Sequence, residues 1–300
     1  MNERNVAASV RARLLNKARA DKRDFSLVLT RYALERLLYR LSISEHADHF
    51  LLKGALLFDL WFDVPQRPTR DIDLLGFGLA EAPYLVEAFK DLCRIEANDG
   101  MRFDVNSVRA QEIRKEANYA GMRVTLLGWL DGARCAVQVD VGYGDAVTPR
   151  PQLTEYPVML KEFPAPKLMV YPRYTVVAEK LEAMISLGMA NSRMKDYFDV
   201  WVLARHSEFD GSVPCEAIEA TLKRRGTAVP TGQPFGLSDS FAADVQKQVQ
   251  WRGFLRKNRL EALNLELVLA ELQRFLMPPL QALAGGEQLS AVWSGAGWHG

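Results

Sequence analysis

Apolar residues recur at intervals of three and four through the first 23 positions and again through "DFSLVLTRYALERLLYRLSIS" (24–44). That period predicts two helices, with Asp24 and Ser26 as N-cap candidates for the second. The pattern then shortens. "HFLLKG" is a brief apolar run closed by glycine, "ALLFDLWF" is helical, Pro65 and Pro68 mark a loop around Arg67, and "DIDLLGFG" alternates as a strand does. "APYLVEAFKDLCRIEA" reads as a helix, and "GMRVTLLGWL" and "RCAVQVDVGYG", joined by Asp131-Gly132, alternate as the arms of a hairpin. The middle of the chain is therefore a mixed α/β layer. Six prolines between Pro149 and Pro172 interrupt it and suggest a boundary between lobes. Beyond them, residues 175–188, 193–206, 214–225, 238–256 and 260–276 have helical periodicity, and a Gly-rich tail is expected to be weakly ordered. The organisation expected is N-terminal helices plus an α/β core over 1–165, a helical lobe over 166–284, and a flexible tail over 285–300.

Composition narrows the class. The 300 residues are 48% hydrophobic and 25% charged, with a formal charge of +1, so a polyanion would have to be held by local basic patches rather than by the field of the whole molecule. Three patches stand out: Arg4 to Arg23, Lys223 to Arg225, and Arg252, Arg256, Lys257 and Arg259. Cys93, Cys135 and Cys215 are scattered and odd in number, which argues for a reducing compartment and against structural zinc. His46 and His49 form a close pair with no third ligand nearby in the sequence. No signal peptide opens the chain and no apolar run reaches membrane-spanning length, so the cytoplasm is the expected location.

The chemistry begins at "RPTRDIDLL" (67–75). Residues two apart on a strand share a face, so Asp71 and Asp73 project together, roughly 7 Å apart, while Ile72 and Leu74 point to the core. Like charges held in this way repel unless a cation sits between them, and a hard divalent ion with oxygen ligands is the usual answer. A solvated strand face would show the same spacing. "AVQVDVGYG" sets Val137, Val139 and Val141 on one side and Gln138 and Asp140 on the other, which makes Asp140 available as a third acid from a neighbouring strand. Such a set holds metal ions for in-line attack on a nucleotide phosphate. Arg67 and Arg70 would either hold a triphosphate or balance the acids.

Lys53 and Gly54 stand at a strand-to-helix junction ahead of these aspartates. There a glycine lets backbone N–H groups approach a phosphate and a lysine adds charge, although a plain turn glycine would look the same. Lys180 falls inside the apolar arc of Val177, Leu181, Met184 and Ile185. Either its stem snorkels to solvent or its ammonium contacts a triphosphate between the lobes. In "SRMKDYFDVWVLA" residues 197–204 are apolar nearly all round except for Asp199, yet Asp196 and Asp199 share one side of the helix. Buried carboxylates need cationic partners, for which Lys180, Arg193 and Lys195 are candidates. A network tying two helices together is the structural alternative.

The ordered set "LLKGALL", "RPTRDIDLL", "VQVDVGYGD", "VVAEKLEAM" and "NSRMKDYFDVW" resembles the AbiEii/AbiGii-type nucleotidyltransferases, toxins of type IV abortive-infection and toxin-antitoxin systems related to the MenT toxins. The resemblance implies an α+β fold, a polymerase-β-like core with a mixed sheet plus a helical C-terminal lobe. It implies Asp71 and Asp73 as metal ligands, with Asp140 as the third acid. Gly54 becomes the phosphate-turn glycine, Lys180 the phosphate-contacting lysine and Asp196 the late catalytic aspartate, while Lys53, Arg70 and Asp199 join the nucleotide site. The implied cofactor is Mg²⁺, with Mn²⁺ as the other candidate; the implied substrates are an NTP and the tRNA 3′ end, and the implied partner is a winged-helix, AbiEi-like antitoxin. One departure is plain: many members carry Gly-Gly-Ser or Gly-Gly-Thr in the turn, whereas here Ala55 and Leu56 follow Gly54. A kinase-like phosphotransferase and a non-catalytic nucleotide- or partner-binding module are the competing readings.

Overall fold

Helix α1 (Glu3–Ala20) packs on α2 (Phe25–Ser42), whose first turn is closed by Asp24 accepting the Ser26 N–H at 2.7 Å. The computed structural model describes residues 3–62, 67–78, 80–115 and 119–300; Pro65, one of the two expected loop prolines, lies outside the described residues. Helix α2 buries charge as well as leucine. Arg40 is clamped between the Asp99 carboxylate, at 2.8 Å, and the Met101 carbonyl, and Glu35 accepts the Met159 N–H at 2.7 Å. Burial pushes the Glu35 carboxyl up to about 7, against the opposing pull of Arg36 and of the Met159 N–H. The folded state therefore holds a proton there that the unfolded chain has released, so stability should fall as pH rises through 7. Chemical denaturation of wild type and Glu35→Gln between pH 4.5 and about 7 checks this, since the variant should lose that part of the slope.

The sheet follows. Strand β1 (Phe50–Lys53), a 3₁₀ turn over Gly54–Leu56, α3 (Leu57–Trp61) and β2 (Asp71–Gly76) realise the expected strand, glycine turn, helix and strand. After α4 (Ala82–Arg94) come β3 (Met101–Phe103), β4 (Arg109–Lys115), β5 (Tyr119–Leu130) and β6 (Ala133–Tyr143). Asp131 and Gly132 both take positive φ, 45° and 76°, the two-residue hairpin turn whose twist matches its strands. With β7 (Gln152–Glu155) and β8 (Lys167–Val170) the strand order is β3-β5-β6-β2-β1-β8-β7, and β4 pairs with β5. The sheet is mixed: β2 is antiparallel to β1 and parallel to β6.

The proline-rich stretch does more than separate lobes. Met1–Gly144 and Gln152–Val170 form one compact unit, and Asp145–Pro151 and Tyr171–Gly300 form the other. The chain leaves the sheet after β6, returns to lay down β7 and β8, and leaves again, instead of dividing once near residue 165.

The second unit holds α5 (Arg173–Leu187), α6 (Met194–His206), β9 (Phe209–Asp210), α7 (Ser212–Arg225), α8 (Asp239–Ala243), α9 (Val245–Asn258) and α10 (Leu265–Gly285). The tail over 285–300, expected to be flexible, carries two short strands. Strand β10 (Val292–Trp293) pairs with β9 on one side and with β11 (Trp298–His299) on the other, and Trp293 is buried with its indole N–H on the Ala204 carbonyl at 2.6 Å. Two tryptophans packed on Phe275 supply an apolar anchor that the surrounding glycines conceal in the overall composition.

Candidate functional site

Strand register assembles a row of charge across the first unit. Lys53 on β1 lies opposite Asp73 on β2, Asp73 lies beside Asp140 on β6, and Asp140 lies opposite Arg123 on β5. Partners in register share a face, so four strands present cation, acid, acid, cation in line. Asp71 extends the acidic pair by one step, next to Gln138. Its Oδ1 accepts the Thr69 hydroxyl at 2.7 Å, which steadies the carboxylate without neutralising it.

Arg123 grips Asp140 with both arms, Nε on Oδ1 at 2.8 Å and Nη2 on Oδ2 at 2.9 Å, while the Gln138 amide adds a third donor at 3.3 Å. The arginine is held above its ordinary pKa first by hydrogen bonding to Asp140. Desolvation opposes this, and the fields of Asp140, Asp71 and Asp73 add to it. Both oxygens of the expected third metal ligand are thus engaged by a guanidinium. Asp71 and Asp73 place further carboxylate oxygens on the same face, the hard donor type a divalent cation prefers.

Gly54 is tied to this row by space as well as by sequence. Its φ is +75°, and a Cβ there would fall 2.1 Å from Asp73 Oδ2 and 2.7 Å from Asp73 Cβ. Side chains disfavour that φ, and the carboxylate occupies the volume they would need. The helix behind it is shorter than a phosphate-binding helix usually is: one 3₁₀ turn and the five residues of α3 carry little macrodipole. Room for Asp73 is what the glycine most clearly supplies. Arg70 is exposed on the approach to β2 and lines a cavity of about 320 Å³ with Ser107, Thr125 and Gln138.

The second unit contains the other expected set. Lys180 on α5 donates to Asp196 Oδ1 at 2.7 Å and to Asp199 Oδ2 at 2.9 Å, both on α6 and both buried. Arg193 Nε lies 2.6 Å from Asp196 Oδ2, close enough for an ion pair but without the alignment of a hydrogen bond. Burial alone would raise the Asp196 pKa, but Lys180 and Arg193 outweigh it and hold the carboxyl below its usual value. Lys195 stays exposed. The trio therefore joins two helices, and the lysine is neither snorkelling nor solitary.

His46 and His49 do acquire company, contrary to the expectation from sequence. His46 Nε2 lies 3.1 Å from Asp91 Oδ2 with Glu45 at 4.0 Å, and His49 Nδ1 meets the Tyr84 hydroxyl at 2.6 Å. Asp91 also pairs with Arg94 at 2.6 Å, and its carboxyl is held below the usual value first by the His46 hydrogen bond and then by Arg94. Of the residues missed in the sequence, Arg123 was within reach. It lies eight residues before Asp131, and Asp140 lies eight after Gly132, so a two-residue turn places them opposite each other.

A family model described as nucleotidyl transferase AbiEii toxin, type IV toxin-antitoxin system, matches residues 36–276. The chain belongs to the AbiEii family. Its fold is accordingly a nucleotidyltransferase core with a mixed sheet followed by helices. The family implies a nucleoside triphosphate as substrate, a divalent metal and a neutralising antitoxin partner. Two solved Helicobacter pylori structures are similar: JHP933, at 15% identity over 84% of this chain and 90% of that one (TM-score 0.48), and a protein provisionally assigned as a nucleotidyltransferase, at 17% over 84% and 93% (TM-score 0.46). A search of the curated proteins finds no match. Among the described residues no helix is long and apolar enough to cross a membrane.

Proposed function

We propose that this AbiEii-family chain transfers a nucleoside monophosphate from an NTP to an acceptor hydroxyl, with pyrophosphate leaving. The observation that carries the reading is the cross-strand row Lys53, Asp73, Asp140 and Arg123 with Asp71 beside it. Asp71 and Asp73 would hold Mg²⁺ or Mn²⁺, and Asp140 serves as a third acid shared with Arg123. The bound ion supplies Lewis-acid stabilisation of charge on the reacting phosphate. Lys53 and Arg70 neutralise triphosphate charge; in the second unit Asp196 and Asp199 orient the Lys180 ammonium, whose two hydrogen bonds to them set its direction. Gly54 keeps the volume beside Asp73 clear. The acceptor is the tRNA 3′ end and the setting is the cytoplasm. Blocked translation is the consequence, phage defence the context and a winged-helix antitoxin the restraint.

The full chain incubated with total tRNA, Mg²⁺ and NTP labelled at the α-phosphate should label RNA. Label arriving only from the γ-phosphate would mean kinase-like chemistry, and nucleotide binding without any labelled product would mean a binding module; either result overturns the proposal.

A further inference from the structure

Of the three basic stretches in the sequence, two are paired in part within the protein. On α1, Arg11 pairs with Asp131, Lys17 with Asp21 and Arg13 with Glu162. Arg225 at the end of α7 is drawn inward onto Glu182 at 2.7 Å, with Asp145 and Glu179 nearby. The third stretch differs. Helix α9 and the residue that ends it carry Lys247, Arg252, Arg256, Lys257 and Arg259 and no carboxylate. Lys247 is buried on the Asn191 carbonyl, whereas the other four are exposed. Among the described residues none of these four side chains makes an ion pair or a hydrogen bond.

Cations in the last turn of a helix complement its dipole, which accounts for Arg256 and Lys257 in part. It does not account for Arg252, further inside the helix, nor for the groove alongside. Arg252 and Arg256 are one turn apart, on one wall of a depression of about 600 Å³ whose floor is Leu255, Leu260 and Leu263 and whose other polar groups are Gln248 and Asn264. Residues at that spacing stand about 5–6 Å apart, close to the separation of successive phosphates along a strand. Guanidinium groups unpaired within the protein remain able to form two-pronged bonds to phosphate. An aliphatic floor beneath them suits the apolar face of a base better than it suits the carboxylates of an acidic peptide.

We infer that the α9 groove is a docking surface for the phosphate backbone of the RNA acceptor, with Arg252 and Arg256 as its principal contacts. The inference rests on the reading of the chain as an RNA-directed nucleotidyltransferase and adds where that RNA is held. Phosphate contacts position a strand without reading its sequence, so the groove would serve many RNAs alike.

The test is fluorescence anisotropy of labelled total tRNA with the full chain across a salt series, for wild type, Arg252→Glu/Arg256→Glu, Arg252→Lys/Arg256→Lys and Asp71→Asn. The glutamate pair should weaken binding at least tenfold. It should also lower the slope of log affinity against log salt by about two, one for each phosphate that is no longer neutralised. The lysine pair should keep most of the slope, and Asp71→Asn should bind RNA as wild type does. Unchanged affinity and slope in the glutamate pair, with circular dichroism showing an intact fold, would overturn the inference. So would wild-type binding of polyglutamate in preference to tRNA. If the groove binds RNA as expected while Asp71→Asn still labels RNA, the carboxylate reading fails and the docking surface stands.

Discussion

Gly54→Ala should remove nucleotidyl transfer almost completely, by at least about a hundredfold in kcat, while costing only about 1–2 kcal/mol of stability. The stability term follows from forcing a side chain into the left-handed region. The larger catalytic term follows from where the added methyl must go, since its ideal position is 2.1 Å from Asp73 Oδ2 and the carboxylate has to turn aside. A displacement of about 1 Å at a reacting centre is enough for a hundredfold loss. Single-turnover kinetics with thermal denaturation on the same samples separates the two. A variant that keeps full activity would show that the orientation of Asp73 does not matter, and with it the assignment of Asp73 as a metal ligand would fall.

Lys180→Met is expected to be strongly destabilising, at about 3–5 kcal/mol, because it takes from the buried Asp196 and Asp199 the ammonium that both carboxylates share. The melting temperature should drop by on the order of 10 °C. The pH dependence should also change sign. In wild type the Asp196 carboxyl titrates below its unfolded value, so its stabilising contribution is present above the unfolded carboxylate range and is lost as pH falls through the folded value. Without the lysine the buried acids favour protonation, and the variant should gain stability on acidification. Adding Asp199→Asn to Lys180→Met should recover part of the loss. No recovery would mean that the two helices are held together by their apolar contacts and not by this trio.

Much of the site was legible because its parts are encoded by short periods. Alternation put Asp71 with Asp73 and Asp140 with Gln138, and helical spacing put Lys180 in an apolar arc that demanded a partner. Pairing between strands distant in sequence was not legible. Nothing in "LLKG" or "DIDLL" states that Lys53 will lie opposite Asp73, because the loop between them leaves the register open. Where a two-residue turn does set the register, as at Asp131-Gly132, Arg123 could have been placed by counting. The strands of the tail were not legible for a different reason: they accompany Trp293 and Trp298 packing on Phe275 and the Trp293 bond to the Ala204 carbonyl, which are contacts of long range.

The return of the chain to lay down β7 and β8 has a bearing on synthesis. Strand β1, which leads directly into Gly54, pairs on one side with β2 and on the other with β8. Until residues 167–170 have emerged from the ribosome, β1 presents an open edge in a nascent chain, a state prone to wrong pairing. More than half of the polypeptide must therefore be made before this sheet can close around its acidic row.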